Sequence, residues 1–72
     1  MENDPLFLRA LGKQIQAVRK ARGLTQERLA ELCACDPTYI SLLERGLRNP
    51  PILTLHTLAM KLNSSLKDFF PT

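Results

Sequence analysis

Residues 36–50, "DPTYISLLERGLRNP", decide the fold of this chain. Asp36 is a natural N-cap, and Pro37 suits the first helical position, where a missing N–H costs nothing. Arg45 falls in the last turn and Gly46 supplies a left-handed cap. About ten residues lie between those signals. Ile40 and Leu43 share one face, whereas Thr38, Tyr39, Ser41 and Leu42 point elsewhere. A helix so short, with so mixed an outer surface, is built to touch something.

Working outward, "ACD" before this helix is long enough only for a tight turn. Thr25 is an N-cap with Glu27 in its first turn, opening a helix that runs to about Cys33 and buries Leu29 and Leu32. Ala30 is small where a neighbouring helix would come close. Further upstream a helix spans about Pro5 to Arg22, with Leu8, Leu11, Ile15 and Val18 as its apolar stripe. Arg9, Lys13, Gln16 and Lys20 fall on its wet side, and Gly23 ends it. Downstream of "GLRNPP" a helix covers roughly Ile52 to Leu62, facing inward with Leu55, Leu58, Ala59 and Leu62. Ser64 or Ser65 caps a last short helix, "LKDFF", stopped by Pro71. No strand, repeat or low-complexity segment intervenes. The expectation is an all-α fold of five helices around one core, forming one domain over residues 1–72.

At 72 residues the chain is near the lower size limit for a core without staples. No apolar run approaches a membrane span, and "MENDP" is neither basic nor apolar, so a soluble cytoplasmic protein is expected. Cys33 and Cys35 are too close for an easy disulfide. With His56 on a different helix they lack any recognised zinc spacing, and Cys33 reads as core. Nothing marks an oxyanion hole or an orienting acid for a Cys–His pair, so neither enzyme activity nor a cofactor or metal is expected.

Net charge is +3 with a pI near 9.2. Glu2 and Asp4 precede the first helix, and beyond them ten Lys and Arg face the five remaining acids. That balance suits a polyanion. Two short helices joined by a tight turn in a basic all-α domain read as a helix-turn-helix, at about residues 25–45. A short helix fits the DNA major groove when a partner braces it at a fixed angle.

The string "GLTQERLAELCACDPTYISLLERGLRNP" resembles the DNA-binding domains of lambda repressor and Cro, the large xenobiotic-response-element-like family of regulators. Thr25-Gln26, Leu29-Ala30, Ile40-Ser41, Glu44, Gly46 and Pro50 all fall in register, and "LAMKLNSSLKDFF" looks like that family's last two helices. On so short a chain, the reading-helix stretch is most similar to restriction–modification controller proteins. Free-standing phage and chromosomal repressors and antitoxin-like regulators share most of these residues. A protein-binding adaptor that keeps the fold without binding DNA is the alternative from another class.

The resemblance implies a sequence-specific, autoregulatory homodimer on double-stranded DNA, with two reading helices about 34 Å apart. Gln26 would bond a phosphate and help fix the reading helix. Thr38 would offer a hydroxyl and a methyl to base edges, and Tyr39 would meet the backbone. Ser41 and Leu42 either reach DNA or cover the core. Arg45, Arg48 and Asn49 would lie along the phosphates, where a guanidinium fork makes two charge-assisted bonds. Similar controllers often hold an arginine where Pro37 stands, so direct guanine recognition from that position is lost. Specificity would then lean on Thr38, Tyr39, Arg48 and DNA shape.

Relatives pair the glutamate at Glu44 with a first-helix arginine, here Arg19, as a structural bridge. Their turn often carries glycine where this chain has Ala34, which predicts a left-handed alanine strained by roughly 1 kcal/mol. Glu27 and Glu31 match an acidic patch that in lambda repressor touches the RNA polymerase sigma subunit; a merely solvated face is the other reading. The helices over 52–70 would carry dimerisation, with Phe69 inward and Phe70, Ile52 or Leu53 meeting a symmetry mate.

Overall fold

The computed structural model describes residues 4–70; Glu2 and Pro71 lie outside them. Among the described residues the chain forms α1 (Pro5–Ala21), α2 (Gln26–Leu32), α3 (Pro37–Glu44) and α4 (Ile52–Lys61). A single 3-10 turn follows over Leu66–Phe69. The all-α class is as expected, but the fifth element is not an α-helix. It has only four residues between Ser65 and an extended Phe70, so it closes i→i+3 bonds instead. The φ of −89° and ψ of 127° at Phe70 are those a following proline favours.

Each of the first three helices starts at a side-chain cap. Asp4 accepts from the Phe7 N–H at 3.1 Å, Thr25 from Arg28 at 3.0 Å, and Asp36 from Thr38 at 2.8 Å. All four α-helices end alike, with paired reverse bonds closing over a left-handed residue. After α3, Gly46 N–H reaches the Leu43 carbonyl and Leu47 N–H the Leu42 carbonyl, at 3.0 and 2.9 Å. Arg45 is therefore the C-cap, one residue beyond the helix. After α2 the left-handed position is held by Ala34, at φ 55°. Ala34 closes the same pair of bonds, from Ala34 to Glu31 and from Cys35 to Ala30. The turn geometry is thus obtained with a residue that carries a Cβ into an unfavourable region.

Ile15, Leu29, Ile40, Leu58, Leu62 and Phe69 are the largest fully buried side chains. Each contributes roughly 1.5–3 kcal/mol by leaving water. Leu11, Ala30, Leu43, Leu55 and Ala59 complete the core. The α1 stripe is buried at Leu11 and Ile15 but only half-buried at Leu8 and Val18, and in α2 the inward partner of Leu29 is Ala30, with Leu32 half-buried. Phe69 docks the 3-10 turn on the core, and Gln14 Nε2 donates to the Asp68 carbonyl at 3.3 Å beside it. At the other end of α1, the Arg22 guanidinium donates to the Leu62 and Asn63 carbonyls at 2.7 and 3.0 Å. A cation thereby satisfies orphan carbonyls at the end of α4.

Backbone approaches backbone closely at Gly12. A Cβ there would lie 2.4 Å from the Leu43 carbonyl oxygen and 2.5 Å from that of Glu44. No side chain fits, so α1 lies directly on the last turn of α3.

Candidate DNA-binding surface

The orientation of α3 is set from its C-terminal end. Glu44, its last residue, has a side chain 1% exposed; that of Arg19 on α1 is 8% exposed. Arg19 Nε donates to Glu44 Oε2 at 2.6 Å and Nη2 to Oε1 at 3.0 Å, a fork-to-fork pair. Arg19 Nη1 also donates to the Leu24 carbonyl at 2.8 Å, so the loop between α1 and α2 is held by the same guanidinium. Two amides complete the carboxylate's shell. Gln26 Nε2, at the start of α2, lies 2.9 Å from Oε1, and Gln16 Nε2, on α1, lies 3.2 Å from it.

Burial pushes the Glu44 carboxyl up, but the bonds from Arg19, Gln26 and Gln16 and the nearby positive charge outweigh it. They hold the group below its ordinary value. The hydrogen bond to Glu44 raises Arg19 in turn, against the opposing effect of burial. Both groups are charged at neutral pH, and three helices converge on one ion pair.

On this base α3 presents an exposed Thr38 in its first turn, directly after Pro37. Ser41 and Leu42 are half-buried at its edges, and Tyr39 is half-buried against the core. Tyr39 lines a pocket of about 150 Å³ with Cys33, Cys35, Thr54, Thr57 and Leu58, between the turn and α4. Both cysteines are free thiols, pushed up in pKa chiefly by burial. Arg45, Arg48 and Asn49 are exposed beyond the C-cap. Arg48 Nη1 donates to the Leu47 carbonyl at 3.0 Å, folding it back along the loop. Gln26, half-buried, stands at the neighbouring start of α2. The result is a short braced helix with a polar first turn and basic residues at its far end.

The remaining sequence-selected residues lie on other faces. Glu27 and Glu31 are exposed on α2, where Arg28 Nη1 meets Glu31 Oε1 at 2.6 Å, leaving Glu27 outside the pair. Ile52 and Leu53 are 58% and 74% exposed at the start of α4. Phe70 is half-buried and stacks on Phe7 of α1, with ring centroids 6.2 Å apart and planes 25° from parallel. Phe7, Ile52 and Phe70 line an open hollow of about 310 Å³ that also includes Leu8, Leu11 and Pro50, with Asp4 and Asn49 as its polar members.

Sequence reasoning missed Gly12, Gln16, Arg22 and Phe7. The apolar periodicity of α1 puts Gln16 on its wet side, yet Gln16 lies one turn before Arg19 and so reaches the same carboxylate. An isolated glycine inside a helical pattern was the available signal for Gly12. Nothing local marks Arg22, whose carbonyl partners are about forty residues away. Among the described residues no helix is long and apolar enough to cross a membrane, and no His, Cys, Asp and Glu group of three or more is placed to hold a metal ion.

Comparison with known proteins agrees with this geometry. The helix-turn-helix family pattern matches residues 15–69. The HTH-type transcriptional regulator y4dJ of Sinorhizobium fredii is 40% identical over 55 residues, covering 76% of this chain and 71% of that protein. The restriction-modification controller protein C.AhdI of Aeromonas hydrophila superposes with a TM-score of 0.84 at 35% identity, over 88% of this chain and 96% of the controller. The biofilm master regulator SinR, solved in complex with DNA, superposes at 0.75 with 33% identity, over 79% of this chain and 92% of SinR. By family match and by architecture, the chain belongs to the helix-turn-helix family of transcriptional regulators.

Proposed function

We propose that the protein binds a pseudo-palindromic operator as a homodimer, controls its own transcription, and serves as the controller of a restriction–modification operon. The observation that carries the DNA reading is the exposed first turn of α3 held on the buried Arg19–Glu44 pair, with Arg45 and Arg48 beyond it. Similarity to C.AhdI over nearly its whole length supports the controller role.

In this reading α3 lies in the major groove and Thr38 meets base edges. Tyr39, Ser41 and Leu42 contact the groove wall, while Gln26, Arg45, Arg48 and Asn49 hold phosphates. Proline at position 37 has no side-chain donor, so much of the discrimination falls to DNA shape. One module buries too little surface for tight binding, and dimerisation through Ile52, Leu53 and Phe70 supplies a second half-site. The exposed apolar edge those residues form supports that interface. Glu27 and Glu31 are exposed on α2 as a contact for the polymerase sigma subunit, although Arg28 offsets one of the two charges.

The test is a titration of the intact protein against duplex from upstream of its own gene, beside a scrambled duplex, at about 50 and 200 mM salt. Preference for the upstream duplex by about 10³ or more, in two-subunit steps, is expected. Equal affinity for both removes the autoregulatory target. No binding to either shifts the reading to a protein-binding adaptor.

A further inference from the structure

We propose that Gln16, on α1, is a second phosphate-binding residue, forming with Gln26 a two-amide clamp on one backbone phosphate. The inference rests on the DNA-binding reading above and deepens it.

The Glu44 carboxylate is ionised at neutral pH, so it only accepts hydrogen bonds. Both glutamine amides must therefore turn their NH2 groups toward it, which fixes the orientation of each. Gln16 and Gln26 meet the same oxygen, Oε1, at 3.2 and 2.9 Å. Their nitrogens are thus held within about 6 Å of each other, although they come from different helices.

Each amide nitrogen carries a second hydrogen, directed away from the one it gives to Glu44. Among the described residues neither side chain makes another hydrogen bond. The carboxylate beneath is almost fully buried while both glutamines that donate to it are half-buried, so each keeps part of its surface open to solvent. Two neighbouring N–H groups on a fixed base present a geometry that one anionic oxygen can bridge. Arg19 neutralises the carboxylate, so an approaching phosphate meets donors without net repulsion.

The clamp makes a prediction that a positioning role does not share. A neutral donor to phosphate reads no sequence and displaces no counterion of its own. Gln16→Met keeps length and packing but removes the donors, and Gln16→Ala is the second variant. Both are titrated against the upstream duplex and the scrambled duplex at two salt concentrations, with thermal unfolding in parallel. The clamp predicts about fivefold weaker binding to both duplexes alike, an unchanged salt slope, and non-additivity with Gln26→Ala.

Unchanged affinity in Gln16→Met overturns the clamp. So does a loss confined to the upstream duplex, because that marks Gln16 as a brace for the reading helix. If the wild-type protein binds neither duplex, the DNA reading itself falls and the clamp with it. If it binds both and only Gln16→Met is indifferent, the clamp alone is wrong.

Discussion

Arg19, in the last turn of α1, and Glu44, the last residue of α3, are joined by two parallel hydrogen bonds of 2.6 and 3.0 Å. The pair sits where a lone charge has no water to compensate it. Removing one partner is therefore worse than never having had either. Arg19→Ala is expected to cost about 3–5 kcal/mol, read as the midpoint shift in urea unfolding. Glu44→Gln, which still accepts hydrogen bonds, is expected to cost less.

The same pair sets an acid limit. The Glu44 carboxyl is held below its ordinary value, so its contribution is fully present above the unfolded value of about 4.3 and is lost as pH falls through the folded value. The stability gap between wild type and Glu44→Gln should be constant between pH 6 and 8. It should narrow steadily below about pH 4. A gap independent of pH down to 3 contradicts the ionised pair.

Gly12→Ala tests the contact between α1 and α3. The added Cβ meets backbone carbonyls at 2.4 and 2.5 Å, and backbone cannot rotate away as a side chain does. A loss of about 1–3 kcal/mol or more is expected in thermal unfolding. Because the displaced element is α3, the proposed reading helix, DNA affinity should fall even at temperatures where the variant is folded.

Ala34→Gly should act in the opposite direction. Ala34 occupies φ 55° at the end of α2, with its closing bonds already made. Glycine relieves the Cβ penalty of roughly 1 kcal/mol but adds freedom to the unfolded chain, which offsets part of it and leaves a net gain of about 0.5 kcal/mol. A melting temperature lowered by the equivalent of about 0.4–1 kcal/mol, the unfolded-state effect of glycine alone, would show that the turn carries no strain.

Arg48→Ala and Thr38→Ala separate backbone contact from base reading. With Arg48 on a phosphate, as proposed, and not on a base, its loss should weaken specific and scrambled duplexes equally and reduce the salt slope by about one. Loss of Thr38 should reduce only the specific complex, by about 1 kcal/mol, and leave the slope unchanged. Both variants should melt with the wild type, since both side chains are exposed.

Local patterns in the sequence determined much of this protein. Caps at Thr25 and Asp36, the apolar spacing of Leu29, Ile40 and Leu43, and the left-handed position at Gly46 are decided within a few residues, where hydrogen-bond geometry and steric exclusion act. The motif linking them made the family legible in the same way. The last short helix lies where the sequence puts it, capped at Ser65, but as a 3-10 turn, because four residues before an extended Phe70 are too few for an α-helix.

Tertiary structure alone decided the rest. That Gln16 turns inward to Glu44, that Gly12 is an absence demanded by α3, and that Arg22 closes the end of α4 all depend on atoms distant in the chain. Phe70 likewise found a partner in Phe7, across the whole length of the sequence. Periodicity tells which face of a helix is apolar, but an amide or guanidinium pairs with whatever acceptor the packing brings within reach. The buried carboxylate of Glu44 is that acceptor, and its need for donors selects the residues around it.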